Sequence, residues 1–495
     1  MHARPLHPDP TVSPPPQAEG RSPAVGSTAA GEAASGQVLG TAAPQATLDY
    51  RVARDIASQV ARQREELLKS QPGTDRGSEE QRCLNWIAEA VALWSDAQAM
   101  TPNEDEALRR AVYDLLFRAG RLQPYLDDGR VEDIIIQGPR EVWLDYGDGE
   151  RRQVAPIADS EEELLDLLRE LARSSGYSER TISTASPTLA LSLPDGSRLQ
   201  AITGLGPRTY AVIRRHRMSH ATLDDLVRLG MIDPILRDFL GAAVRAEKNV
   251  MIAGKQKAGK TTLLRAMLRE FGPETRFATI QTEDELFAHA NGYHRQVVSL
   301  VGRESNGEMD GAGRGAGEVT LLDLMHPALR MSLERIVVGE VRGPEVVAMM
   351  QALTNGSGGN LCTIHARRPD IIFDRIAELY ALAQINLSEQ LAYRQTANGL
   401  DFVVYVDMAD ETQIGGRRHR YVSHVLELTG IGESGRPATN SVFSPGVEFG
   451  EVRAVPRMEP ACIDDLRRVG FDSSLLQHRY GAWSAPLPLR VGLRP

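Results

Sequence analysis

The sequence predicts an α/β fold: a parallel sheet with crossover helices, preceded by an α+β region and a small N-terminal helical bundle. Three observations carry the prediction. Between residues 241 and about 410, strand and helix patterns alternate, which is how parallel strands joined through helices read. Inside that stretch, Gly254-Lys255-Gln256-Lys257-Ala258-Gly259-Lys260-Thr261 is a full G-x-x-x-x-G-K-T, with a buried-strand pattern before it and a helix pattern after it. Towards the N-terminus, Val52, Ile56, Val60, Leu67 and Leu68 recur at helical spacing, and two more such stretches follow around 83–97 and 104–119.

In chain order, residues 1–46 are rich in Pro, Ala, Gly and Ser, bury too little apolar surface to offset ordering entropy, and are expected to be a disordered tail. Residues 47–120 read as three short helices, with 70–78 as a turn. Residues 121–240 read as the α+β part. Its expected strands are 131–137, 141–146, 189–193, 198–203 and 210–214; Pro194-Asp195-Gly196 marks a hairpin. A helix over 161–172 takes Ser160 as its N-cap, with Glu163 at the capping-box position. Residues 241–430 hold the parallel sheet, with strands expected at 250–253, 277–280, 296–300, 336–338 and 361–364 and a late hairpin of 402–406 with 421–428. A glycine-rich insert at 311–317 reads as a flexible loop. Residues 431–495 form a Pro/Gly-rich extension whose order is in doubt.

Composition bounds the function. At roughly 150 residues per domain, 495 residues correspond to about three domains. A formal charge of −10 argues against a general nucleic-acid coat. Cys83, Cys362 and Cys462 match no metal-ligand spacing and fit a reducing compartment. No run of 18 apolar residues occurs and the N-terminus lacks an apolar signal core, so a cytoplasmic chain without a membrane span is expected.

The chemistry centres on the glycine loop. Backbone N–H groups of Gly254 to Thr262 can wrap phosphates at a helix N-terminus, Lys260 adds a point charge for the β- and γ-phosphates, and the Thr261 hydroxyl is placed to ligate Mg²⁺. The run Arg335–Val341 is an apolar strand reaching Glu340, an acid at the carboxyl edge of the sheet that could hold Mg²⁺ through water or polarise the attacking water. His365 ends the strand pattern of 361–364 on the same edge, as a group sensing the γ-phosphate would. The acidic cluster Glu283-Asp284-Glu285 follows another strand; Glu283 could orient the lytic water, or the cluster could be a solvated loop.

These four elements in this order resemble the secretion ATPases of type II and type IV systems, and among them the CpaF/TadA-like pilus-assembly branch. The resemblance covers residues 122 to about 425 and includes Leu193–Arg198, Ile213-Arg214-Arg215, Leu329-Arg330-Met331, residues 338–343 and Thr363-Ile364-His365-Ala366. It implies a RecA-like P-loop core that hydrolyses ATP with Mg²⁺ in a homo-hexameric ring. The ring would work at the cytoplasmic side of the inner membrane on a separate platform protein, to drive pilus assembly or secretion. It further implies that Glu340 is the Walker-B glutamate and His365 the His-box histidine. Arg198, Arg214 and Arg215 would belong to the preceding domain that folds over the nucleotide, and Arg303 and Arg330 to the arginines before Walker B. One position departs: the family's acidic box reads Ile-Glu-x-x-x-Glu-Leu, and counting back from Glu285-Leu286 the first glutamate falls on Gln281. A carboxamide is no base, which predicts slow hydrolysis that Gln281→Glu would raise, unless Glu283 has taken the role. The rival readings are a nucleic-acid motor on the same core and an ATP-binding assembly scaffold with little turnover.

Overall fold

The computed structural model describes residues 48–491, except 72, 74, 176–181, 217, 304–316, 355–357 and 384–387. The expected N-terminal tail and most of the glycine-rich insert lie outside the described residues.

The first three helices are α1 (Tyr50–Ser70), α2 (Arg76–Gln98) and α3 (Pro102–Phe117). They run 21, 23 and 16 residues; the first two are longer than the pattern predicted, and the third is as long but starts two residues earlier. The Asp75 side chain accepts from Ser78 N and starts α2 inside the expected turn. Thr101 and Glu104 close a full capping box on α3, with Pro102 in its first turn. Ile56, Val60, Cys83, Ile87, Val91, Leu108 and Val112 meet in one apolar core.

After the short α4 (Gln123–Asp127), six strands form an antiparallel sheet. They are β1 (Asp133–Gln137), β2 (Val142–Asp145), β3 (Arg151–Val154), β4 (Thr188–Ser192), β5 (Arg198–Ile202) and β6 (Tyr210–Arg214), in the order β3-β2-β1-β6-β5-β4. Helix α5 (Glu161–Ser174) lies between β3 and β4 in sequence and buries Leu164, Leu168 and Leu171 in the same core as the sheet. Ser160 caps α5 by accepting from Glu163 N, but the Glu163 carboxylate turns one residue further back, to Asp159 N at 2.6 Å. The expected box is therefore realised on one side only.

A second sheet has nine strands. Helices α6 (Leu223–Arg228) and α7 (Pro234–Arg245) lead into β7 (Val250–Gly254) and α8 (Lys260–Leu268). Then come β8 (Phe277–Gln281), β9 (Val297–Val301), α9 (Leu321–Ala328), β10 (Arg335–Val341), α10 (Glu345–Thr354), β11 (Leu361–His365), α11 (Ile372–Leu382), α12 (Glu389–Gly399) and β12 (Phe402–Asp410). The parallel part runs β12-β7-β11-β10-β8-β9. With the glycine loop between β7 and α8, β12-β7-β11-β10-β8 is the strand order of a RecA-like P-loop core. The sheet separates two apolar layers, one around Phe239, Leu263, Phe402 and Phe443, the other around Ile280, Met350, Ile376 and Tyr405.

Composition put order beyond Gly430 in doubt; there the same sheet continues. Strand β13 (Arg418–Ile431) pairs antiparallel with β12, and β14 (Pro437–Pro445) and β15 (Ala454–Pro456) add to it. Helix α13 (Ile463–Arg468) follows, and its Leu466 joins the Phe239 layer. Cys83 and Cys362 are buried, Cys462 is half-buried, and none is in a disulfide. Among the described residues, no helix is long and apolar enough to cross a membrane.

Candidate phosphate-binding site

Strand β7 is buried along its whole length and ends in Gly254, where the backbone comes so close to β12 that a Cβ would sit 2.2 Å from the Val406 carbonyl oxygen. Gly259 takes φ +101° at the start of α8, a left-handed conformation that suits glycine. Between them the loop leads into the N-terminus of α8, where backbone donors and the helix dipole favour an anion. Lys260 and Thr261 open that helix, followed by Thr262.

Lys260 is 6% exposed. Its Nζ donates to the Lys255 carbonyl at 3.0 Å and lies 3.0 Å from His365 Nδ1. Burial pushes its ammonium down to about 8, against the pull of Glu340. His365 is the last residue of β11 and pairs in register with Gly254. Its other ring nitrogen, Nε2, is 2.5 Å from Glu340 Oε1, and Arg342 is 2.5 Å from Glu340 Oε2. Burial raises the Glu340 carboxyl, but His365 and Arg342 outweigh it and hold the group at about 2. Lys260, His365 and Glu340 thus form one chain of contacts across the carboxyl ends of β7, β11 and β10, the edge where ligands of such sheets bind. An open cleft of about 870 Å³ begins at Gly254, Lys255, Gln256 and His365 and reaches Asp374 and Arg375 on α11. That volume accommodates a nucleotide.

The residues also fit Mg²⁺. Thr261 stands in the first turn of α8, and Glu340 is an ionised carboxylate near the end of β10, a hard oxygen donor of the kind Mg²⁺ takes directly or through water.

The other sequence candidates divide. Arg214 stands 3.8 Å from Glu132 and 4.0 Å from Asp133 and contributes to the field at Lys260. Arg215 turns away: its guanidinium donates to the Asp128 carbonyl within its own part of the chain, so the structure does not bring it to the phosphate loop. Arg198 reaches across to Glu283 at 2.5 Å. Arg303 is exposed and holds the Gly317 carbonyl, and Arg330 is exposed just beyond α9. Gln281 is 2% exposed and fully engaged: Oε1 accepts from Glu285 N and Leu286 N at 3.0 Å, and Nε2 donates to Asp284 at 2.9 Å.

Sequence reasoning missed a clasp on the loop. Lys257, with φ +60°, is 2.6 Å from the buried Asp133 at the start of β1. Arg420 of β13 holds the Lys257 carbonyl at 2.8 Å and both oxygens of Glu132 at 3.1 Å. Lys255 is likewise 2.7 Å from Asp407 of β12. The only local signal was a basic loop with acids elsewhere in the chain, which names no partner.

A family model described as Type II/IV secretion system protein matches residues 120–394. A Mycobacterium tuberculosis protein named for conjugal transfer is 34% identical over 303 residues, covering 57% of this chain and 80% of the relative. The type IV secretion system protein VirB11 of Brucella suis is 27% identical over 348 residues, covering 65% and 92%. Among solved structures, the ATPase DotB of Yersinia pseudotuberculosis aligns over 64% of this chain and 80% of its own, at 15% identity and a TM-score of 0.46.

Proposed function

The chain belongs to the type II/IV secretion system protein family, and on that premise we propose that it is an ATPase subunit that turns Mg-ATP hydrolysis into mechanical work for pilus assembly or protein secretion. The observation that carries this reading is the contact chain Lys260–His365–Glu340 at the ends of three neighbouring strands, directly above a glycine loop that opens a helix.

In this reading the amides of Gly254 to Thr262 and the Lys260 ammonium hold the triphosphate. Glu340, ionised at neutral pH and fixed between Arg342 and His365, polarises the lytic water. His365 sits between Lys260 and Glu340, so a change at the γ-phosphate reaches both through its ring. Thr261 and, through water, Glu340 would hold Mg²⁺, which when bound would supply charge neutralisation for the phosphates. Arg214 approaches from the antiparallel sheet, and Glu283, paired with Arg198, ties that sheet to the core. The family premise supports a homo-hexameric ring of the pilus-assembly branch, at the cytoplasmic face of a membrane and working on a separate platform protein.

A second reading, an ATP-binding scaffold with little turnover, has one observation in its favour: Gln281 is committed to its own loop, and Glu340 is the carboxylate whose charge acts on Lys260. Turnover of the purified chain with and without DNA separates the readings. Turnover that is lost in Lys260→Ala and indifferent to DNA is expected. Turnover that persists in folded Lys260→Ala would remove the assignment of the loop, and no turnover in the wild type would favour the scaffold.

A further inference from the structure

Arg265, on the helix that begins with Lys260, is 6% exposed, yet its partners are two carbonyls and an imidazole rather than a carboxylate. Nε donates to the Glu285 carbonyl at 2.5 Å, and one terminal nitrogen donates to the Met218 carbonyl at 3.4 Å. The other terminal nitrogen lies 3.2 Å from His216 Nδ1. The guanidinium also lies 5.5 Å from the centre of the Phe287 ring, which meets His216 edge-on at 5.4 Å. A Cβ on Gly196, in the hairpin turn between β4 and β5, would come within 2.8 Å of that same ring. Phe287 holds φ +50°, an uncommon conformation for a bulky residue, which persists only where the surroundings enforce it.

Three segments therefore meet on one side chain. Helix α8 carries the phosphate loop. The segment of His216 and Met218 follows β6 and its Arg214. Strand β8 ends in Gln281, and the loop after it carries Glu283 and Asp284. A rigid fork suits this task, since guanidinium presents five donors in a plane and can serve several acceptors at fixed angles.

We propose that Arg265 is a positioning residue, which locks the loop of residues 281–287 and the His216 segment to the phosphate-loop helix and so keeps Glu283 and Arg214 in place around the nucleotide. The inference rests on the ATPase reading above. His216 works in the lock as an acceptor. Burial and the cations Arg265, Arg214 and Arg198 hold it down to about 4 against the pull of Glu285, so the imidazole is neutral and Nδ1 is free to take an N–H. A second cation at that position would face Arg265 directly.

The test uses the full-length chain and five proteins: wild type, Arg265→Gln, Arg265→Lys, His216→Asn and His216→Lys. For each, kcat and KM for ATP, ADP affinity, and hydrogen exchange at Glu285 N and Leu286 N are measured. A misplaced loop should lower kcat by about 10²-fold in Arg265→Gln, with ADP affinity little changed. Arg265→Lys keeps the charge but loses the fork, and should fall between it and wild type. His216→Asn places an acceptor where Nδ1 was and should retain activity; His216→Lys should lose it. Wild-type kcat per folded molecule in Arg265→Gln, or equal damage from both His216 variants, would overturn the proposal. Should Arg265→Gln not fold, the Arg265→Lys and His216 variants decide. Should the wild type hydrolyse no ATP, the ATPase reading fails, but the exchange arm still decides. The 285 and 286 amides should lose protection in the Arg265 and His216→Lys variants while the α8 amides keep theirs, and unchanged protection at 285 and 286 refutes the lock.

Discussion

At Gln281 the geometry reverses an expectation drawn from the residue alone. A glutamate there would keep the acceptor for Glu285 N and Leu286 N, but it would replace the donor to Asp284 with a second carboxylate oxygen at about the same 2.9 Å. Two carboxylates that close cannot both ionise cheaply. Gln281→Glu is therefore expected to cost about 1–2 kcal/mol of stability and to give no rise in kcat; Gln281→Glu with Asp284→Asn should recover the loss, read by thermal unfolding and turnover. A gain in kcat from the single change would show that the amide, and not Glu340, limits the water. Lys260 offers a second test at this scale. A lysine lowered from 10.5 to about 8 binds its proton less tightly folded than unfolded, so it destabilises the fold fully below pH 8. That cost is relieved as pH rises from 8 towards 10.5. Lys260→Met should accordingly raise the Tm of the nucleotide-free chain at pH 7 by a few degrees, roughly the effect of 1 kcal/mol. The gain should shrink by pH 10, and added ATP should no longer stabilise the variant.

Among elements, the join between β1 and the phosphate loop calls for a direct measurement. Asp133 and Lys257 are partners across 124 residues, with Asp133 nearly out of solvent. Asp133→Asn and Lys257→Met should each destabilise the chain, and the double mutant should lose less than their sum. A coupling of about 0.5–3 kcal/mol is expected for residues in one network; strict additivity would mean the contact contributes nothing. This clasp also marks where sequence reading stopped. The loop, Glu340 and His365 were legible because each lies in a contiguous run at the end of an apolar strand. Asp133 with Lys257, and Glu132 with Arg420 across 288 residues, were not, because pairing at such separation depends on how two sheets dock. Strand β3 escaped for a different reason: Arg-Arg-Gln-Val on a sheet edge, mostly exposed, shows no apolar alternation. Strands β14 and β15 escaped because their order comes from pairing onto β13, not from their own composition.

For the molecule as a whole, the antiparallel sheet leaves Ile202, Tyr210 and Val212 more than a third exposed on one face, with Leu205 of the adjoining loop at 71%. Arg198 and Arg214 lie on the same sheet. An apolar face beside arginines that approach a phosphate site suits a neighbouring copy of the chain, as the ring reading requires. Turnover per subunit should therefore rise with protein concentration until assembly is complete. A monomer by light scattering with undiminished turnover on dilution would refute the ring.

The three thiols carry a practical consequence. Thiolate, not thiol, reacts with maleimides and disulfide reagents. Burial raises Cys83 and holds both Cys362 and Cys462 up at about 12, so at pH 7 almost none of the three is ionised. The native chain is thus close to a blank background for site-specific labelling. One cysteine introduced on the exposed tip of the sheet, at Leu205 for example, would carry a fluorophore whose signal belongs to that site alone. Paired with a second dye on the core, it would report the distance between the two sheets through a catalytic cycle.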